Sequence, residues 1–262
     1  MEPLVTEDTP GATIGDAAEP RERLVRLESA VNFRDIGGYR ADGGLVRWGM
    51  VYRADNVSRL TPSDLDLLRG LAITSVLDLR TTGEVDDGRF PTHEIPVNFH
   101  HLPLLDAVPD PDRFKMTPGM LGSQYVEMAH NAAPQIGRAL RVLAASGSLP
   151  AVVHCAAGKD RTGVLVAVLL GLLGVDEAAI VADYAVSADA MDHLRRSLIE
   201  RYPEGREAIE NADEIFSADP SNMVRLLEWI DEEHGSVEAY AAFTGAGDDV
   251  VVALRERLIE PA

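Results

Sequence analysis

The chain's single cysteine, Cys155, stands in the stretch Val152-Val153-His154-Cys155-Ala156-Ala157-Gly158-Lys159-Asp160-Arg161-Thr162-Gly163. Ala151 to Val153 reads as a buried strand and the apolar run from Val164 as a helix, so the stretch between them turns from strand to helix. Such a turn gathers backbone N–H groups at one point with a helix dipole behind them, a nest that suits a phosphate dianion. Five residues separate Cys155 from Arg161, which lets the loop curl until the guanidinium forks onto two phosphate oxygens. Gly158 permits a turn that a side chain would obstruct. The same donors favour thiolate over thiol, making Cys155 a nucleophile toward phosphorus. Attack would give a thiophosphate, with charge met by Arg161 and by the loop positions Ala156, Ala157, Gly158, Lys159, Asp160 and Thr162. The Thr162 hydroxyl can donate to the departing sulfur, and His154 reads as an organiser of the loop rather than a base.

The pattern His-Cys-x-x-Gly-x-x-Arg-Thr-Gly resembles the signature of the protein tyrosine phosphatase superfamily. With Asn32-Phe33-Arg34-Asp35-Ile36-Gly37-Gly38-Tyr39, Asp78-Leu79-Arg80, Val181-Ala182-Asp183-Tyr184 and the segment Gly235 to Tyr240, it is similar to the bacterial tyrosine/phosphoinositide phosphatases. The likeness runs from residue 24 to the C-terminus. It implies a phosphatase fold of the dual-specificity kind, acting on phosphotyrosine, phosphoserine/threonine or phosphoinositides, with no metal and no cofactor.

A leaving phenolate or alkoxide needs a proton. The family takes it from an aspartic acid beyond a neighbouring strand, and Leu102-Pro103-Leu104-Leu105-Asp106 resembles that element, so Asp106 is the first candidate. Asp160, inside the loop, is the rival. Lys159 is one of only two lysines; by resemblance it would offer a second cation to a multiply charged head group, the alternative being a solvent-facing side chain. Asn32, Arg34 and Asp35 read as buried hydrogen-bonding groups supporting the site, and Arg80 as a structural ion-pair partner. His93, His100 and His101 lack a metal-ligand pattern and read as surface or loop residues. Only about fifteen residues lie between Asp106 and the next helix, too few for the family's two-helix lid, which implies an open site.

Elements that position these residues follow from periodicity. Strands are expected over 46–53, 73–79, 97–102 and 151–153, and helices from Pro62, over 120–131 and 134–145, through the apolar run to Gly174, and near 176–202, 221–234 and 247–259. Alternating strands and helices imply an α/β fold with a mainly parallel central sheet flanked by helices. Residues 1–22 read as a disordered acidic tail and 23–262 as a single domain. With 43 acidic against 24 basic residues, a net charge of −19 argues against nucleic-acid or anionic-membrane binding. No signal-peptide pattern is present, and Val164 to Val175 is too short to span a bilayer, so a soluble, cytoplasmic protein without stable membrane insertion is expected. Its partner would be a phosphorylated protein or a phosphoinositide. A rhodanese-like sulfurtransferase, separable by thiosulfate assay, and an inactive phosphate-binding module are the competing readings.

Overall fold

The structure, a computed structural model, describes residues 22–107 and 119–261. Apart from Glu22, the expected acidic tail lies outside these residues, as does most of the segment following Asp106. The strands are β1 (Arg34–Asp35), β2 (Arg40–Ala41), β3 (Gly44–Val46), β4 (Val51–Ala54), β5 (Ser75–Asp78), β6 (Asn98–His101), β7 (Ala151–His154) and β8 (Ile259–Pro261). A five-stranded sheet has the order β1-β4-β7-β5-β6. β4, β7, β5 and β6 run parallel, and β1 closes the edge antiparallel to β4. The smaller sheet is β2-β3-β8. The fold is therefore the mixed α/β arrangement expected.

The helices are α1 (Pro62–Gly70), α2 (Thr82–Asp86), α3 (Met120–Asn131), α4 (Ala133–Ala144), α5 (Asp160–Leu172), α6 (Glu177–Ala185), α7 (Ser187–Arg201), α8 (Arg206–Glu210), α9 (Asp213–Phe216), α10 (Pro220–His234), α11 (Val237–Phe243) and α12 (Asp248–Leu258). Thr61 and Asp64 close α1 with a reciprocal capping box, and Pro62 takes the first helical position, where its missing N–H costs nothing.

The central strands are buried along their full length, as parallel strands covered on both faces must be. Period-two alternation divides their side chains between two cores. Val153 and Leu77 join the cluster with α5, whereas Val152 and Val76 join the one containing Phe33, Leu68 and Phe90. Helix α5 is apolar on every face and packs against α3, α4, α6, α10 and α11. That encirclement accounts for the longest apolar run. Among the described residues no helix is long and apolar enough to cross a membrane.

Several boundaries differ from expectation. The strand foreseen over 46–53 breaks into β3 and β4, because Gly49 adopts a φ of +75° and turns the chain between the two sheets. The helix near 176–202 divides at Val186 into α6 and α7, and the one near 247–259 is preceded by the separate α11. His100 and His101 lie, half-buried, on β6, within the strand expected over 97–102.

Replacement of Leu169, wholly buried on α5, by alanine should cost about 3 kcal/mol through lost burial and the cavity left behind. Urea denaturation checks this; a loss below about 1 kcal/mol would mean that the helix is not packed as described.

Candidate active site

The loop from Cys155 to Arg161 joins the C-terminal end of β7 to the N-terminus of α5. Its carbonyls are held from behind. The Asn56 N–H donates to the Ala156 carbonyl at 3.2 Å, the Asn32 side-chain amide to the Ala157 carbonyl at 2.9 Å, and Arg53 Nη2 to the Gly158 carbonyl at 2.8 Å. In a trans peptide the N–H points opposite to its carbonyl, so these bonds turn the following N–H groups away from the scaffold. The Gly158 N–H accordingly donates to Cys155 Sγ at 3.2 Å. Gly158 has a φ of +66°, and a Cβ there would lie 2.6 Å from the backbone of Ala54 and Asp55. Only glycine fits. Lys159 provides no side-chain cap to α5, leaving its first N–H groups available to an anion.

Two of these clamps share one anchor. Asp183, on α6, is buried between Arg34 on β1 and Arg53 on β4. Arg34 Nη2 also donates to the Asp183 carbonyl at 2.8 Å and to Ser187 Oγ at 3.2 Å, and Arg34 Nη1 donates to the side-chain oxygen of Asn32. Burial works against the Asp183 carboxylate, but Arg53 and Arg34 hold it below the ordinary range. Arg34 is itself lowered to about 10, by burial first and by its neighbour Arg53. The buried roles expected of Asn32, Arg34 and Asp35 are thus visible. Asp35 accepts from the N–H groups of Gly37 and Gly49 at 2.8 and 2.6 Å.

Arg161 is aimed by a residue that sequence reading missed. Its Nη1 and Nη2 donate to the two oxygens of Glu84 at 2.6 and 3.0 Å. Burial opposes the charge on Arg161, yet nearby Cys155 and Glu84 raise its pKa above the ordinary value. Glu84 is fixed because α2 opens with a capping box, in which the Thr81 N–H donates to Glu84 Oε2 at 2.9 Å. Arg80 ties that helix to the sheet. It forks onto Asp78 at 2.6 and 2.9 Å and donates to the carbonyls of Glu84 and Gly88. Thr81-Thr82-Gly83-Glu84 carries the capping-box pattern, the one local signal that could have drawn attention to Glu84.

The other loop side chains are placed as follows. Asp160 Oδ1 accepts from the Tyr125 hydroxyl at 2.5 Å, and Tyr125 also bonds the Tyr184 hydroxyl at 2.9 Å. Thr162 Oγ1 is buried without a partner, so the expected bond to sulfur is not formed. Lys159 is 1 % exposed. Its Nζ donates to the carbonyls of Ile215 and Ser217 at 2.6 and 2.7 Å and lies 3.3 Å from Asp160. It neither faces solvent nor offers a free cation, because the segment carrying α9 comes down over it. Cys155 is likewise only 1 % exposed, and most of the short segment after Asp106, on which the expectation of an open site rests, lies outside the described residues. Asp106 is exposed and lines a separate hollow of about 280 Å³ with Leu105, Gln124 and Gln135. The cleft beside the loop, about 390 Å³, is lined instead by Ala156, Asn56 and Glu84. The structure therefore brings Cys155, Arg161, Asp160 and the loop together, and leaves Asp106 on another wall.

A sulfur and an arginine thus stand at opposite ends of a strand-to-helix turn, at the carboxyl ends of parallel strands. The chain belongs to the tyrosine phosphatase family, whose model matches residues 25–260. It is 29 % identical to a tyrosine-protein phosphatase of Nostoc commune, over 79 % of this chain and 73 % of that one. It is also 29 % identical to the triple specificity protein phosphatase PtpB of Mycobacterium tuberculosis, over 89 % of this chain and 98 % of that protein.

Two outcomes test this geometry. Glu84→Gln keeps the capping box but removes the charge that aims Arg161, so kcat should fall about tenfold with little change in melting temperature; an unchanged kcat would remove Glu84 from this role. His154 is wholly buried, and burial lowers its pKa from 6.5 to about 4. The unfolded chain therefore binds that proton first as the pH falls. The contribution is complete above pH 6.5 and is lost toward pH 4, with about 2 kcal/mol gone at pH 5. Urea denaturation at pH 7 and pH 5 should show this loss in the native protein and not in His154→Gln.

Proposed function

We propose that this protein hydrolyses phosphate monoesters, phosphotyrosine foremost, through a phosphocysteine intermediate. The observation that carries the reading is the loop whose carbonyls are held from behind, with Cys155 at one end and Arg161, aimed by Glu84, at the other. Cys155 Sγ attacks phosphorus, and an S–P bond forms as the ester P–O bond breaks. The leaving oxygen takes a proton from a carboxylic acid. Water then attacks phosphorus and gives its proton to that carboxylate, and cleavage of the S–P bond frees phosphate and Cys155. Arg161 and the loop amides meet the equatorial charge in both steps. Thr162 Oγ1, buried and unpartnered, is available to donate to the departing sulfur.

Of the two candidate acids, Asp160 has the geometric support, since it sits beside the loop and is oriented by Tyr125. The phosphoinositide part of the reading loses the support expected from Lys159, whose donors are engaged by Ile215, Ser217 and Asp160. The triple specificity in the name of the mycobacterial relative favours more than one class of ester for this chain as well.

The test is phosphate release, in the presence of chelator, from phosphotyrosine and phosphoserine peptides and a short-chain phosphoinositide. Cys155→Ser and Arg161→Ala should each bring turnover to background; a full rate in either variant would refute the mechanism. Asp160→Ala should slow phenyl phosphate about a hundredfold and an activated nitrophenyl ester much less. If Asp106→Ala shows that split and Asp160→Ala does not, the acid is Asp106.

A further inference from the structure

The cleft that Ala156 and Glu84 share with the catalytic loop is also lined by Arg59 and Arg201. The two arrive from distant parts of the chain, Arg59 after β4 and Arg201 at the end of α7. Both are exposed, and among the described residues neither has a hydrogen bond or ion pair. Two unpaired guanidiniums converging on one cleft form a local exception in a chain of net charge −19. The acids on the same walls offset them only in part. Glu84 is occupied by Arg161, and the Asp55 carboxylate accepts from the N–H groups of Val31 and Asn32 at 3.0 and 3.1 Å. Asp87, exposed at the rim, is the remaining acid. Asn56 and Ser58 add neutral polar groups to the same cleft.

We infer that this cleft is a second anion subsite, where Arg59 and Arg201 bind an acidic or phosphorylated residue adjacent to the phosphotyrosine of a peptide. This rests on the phosphatase reading above. A forked guanidinium pair matches a carboxylate or phosphate in shape as well as charge, and a cleft of about 390 Å³ lies within the range of small-ligand sites. A peptide is favoured over a lipid surface for two reasons. The strong negative charge of the whole protein opposes approach to a layer of anionic head groups. Leu194 and Ala156 are the only apolar side chains on the cleft's walls among the described residues, so nothing there would enter a bilayer.

The experiment compares phosphotyrosine peptides carrying aspartate or phosphoserine beside the phosphotyrosine with the same peptides carrying alanine. The native protein should prefer the acidic peptides through KM. In the Arg59→Ala/Arg201→Ala double variant, the acidic-to-neutral ratio of kcat/KM should fall about tenfold, with Arg59→Lys/Arg201→Lys restoring part of it. Binding of the same peptides to Cys155→Ser by calorimetry reads the subsite without turnover. If the native protein turns over no ester while arginine-dependent binding persists, the phosphatase reading falls and the subsite stands. Equal handling of acidic and neutral peptides by the native protein, or an equal loss on both in the double variant, overturns the subsite. Arginine dependence confined to a short-chain inositol bisphosphate ester overturns the peptide assignment.

Discussion

One carboxylate, Asp183, holds the loop from Cys155 to Arg161 in shape. It is buried with Arg34 and Arg53, none of the three more than 2 % exposed. Charges taken out of water cost several kcal/mol each unless their hydrogen bonds are met. Here the two arginines meet that demand and also use their remaining donors on the loop's supports. Arg53 holds the Gly158 carbonyl directly. Arg34 holds Asn32, whose amide holds the Ala157 carbonyl. Two adjacent peptide planes of that loop therefore take their orientation from a single acid on α6. These bonds orient the loop's amides through the fold itself, the arrangement by which fixed dipoles stabilise charge without reorganising.

A second chain of contacts acts on the opposite end of the loop. Asp78 and Arg80 fasten α2 to β5, α2 presents Glu84, and Glu84 aims Arg161. The backbone beyond Cys155 is thus governed from the β1–β4 side of the sheet and the Arg161 side chain from the β5 side. These supports meet only because β7 lies between β4 and β5.

The sequence disclosed what depends on local pattern. Cys155, Gly158 and Arg161 lie within seven positions, and the burial of β7 and α5 is written in an unbroken apolar composition. The sheet's parallel character followed from alternation of strand and helix. What escaped notice was set by partners far along the chain. Glu84 meets Arg161 across 77 positions and Arg53 meets Asp183 across 130, separations at which no periodicity speaks. The partners of Lys159 escaped notice for a related reason. A long cationic side chain reads as free for substrate or solvent until the carbonyls that receive it are known, and Ile215 and Ser217 lie within and just after a four-residue helix too short to be recognised. Gly49 hid the break between β3 and β4 because one glycine within a strand-like run does not reveal which sheet follows.

The register of the central strands carries a further consequence. Asp78 stands opposite His154 where β5 and β7 end side by side, and from that common starting line the two chains run to Glu84 and to Arg161. A strand advances about 3.3 Å per residue, so one residue added between Asp78 and Glu84, or between His154 and Arg161, would carry guanidinium and carboxylate out of bonding reach. These two segments are therefore fixed in length as well as in composition. Among the described residues, those that follow β6 as far as Ala107 bear no part of that pairing. In this chain the separation of Cys155 from Arg161 is thus tied to the pairing of two neighbouring strands.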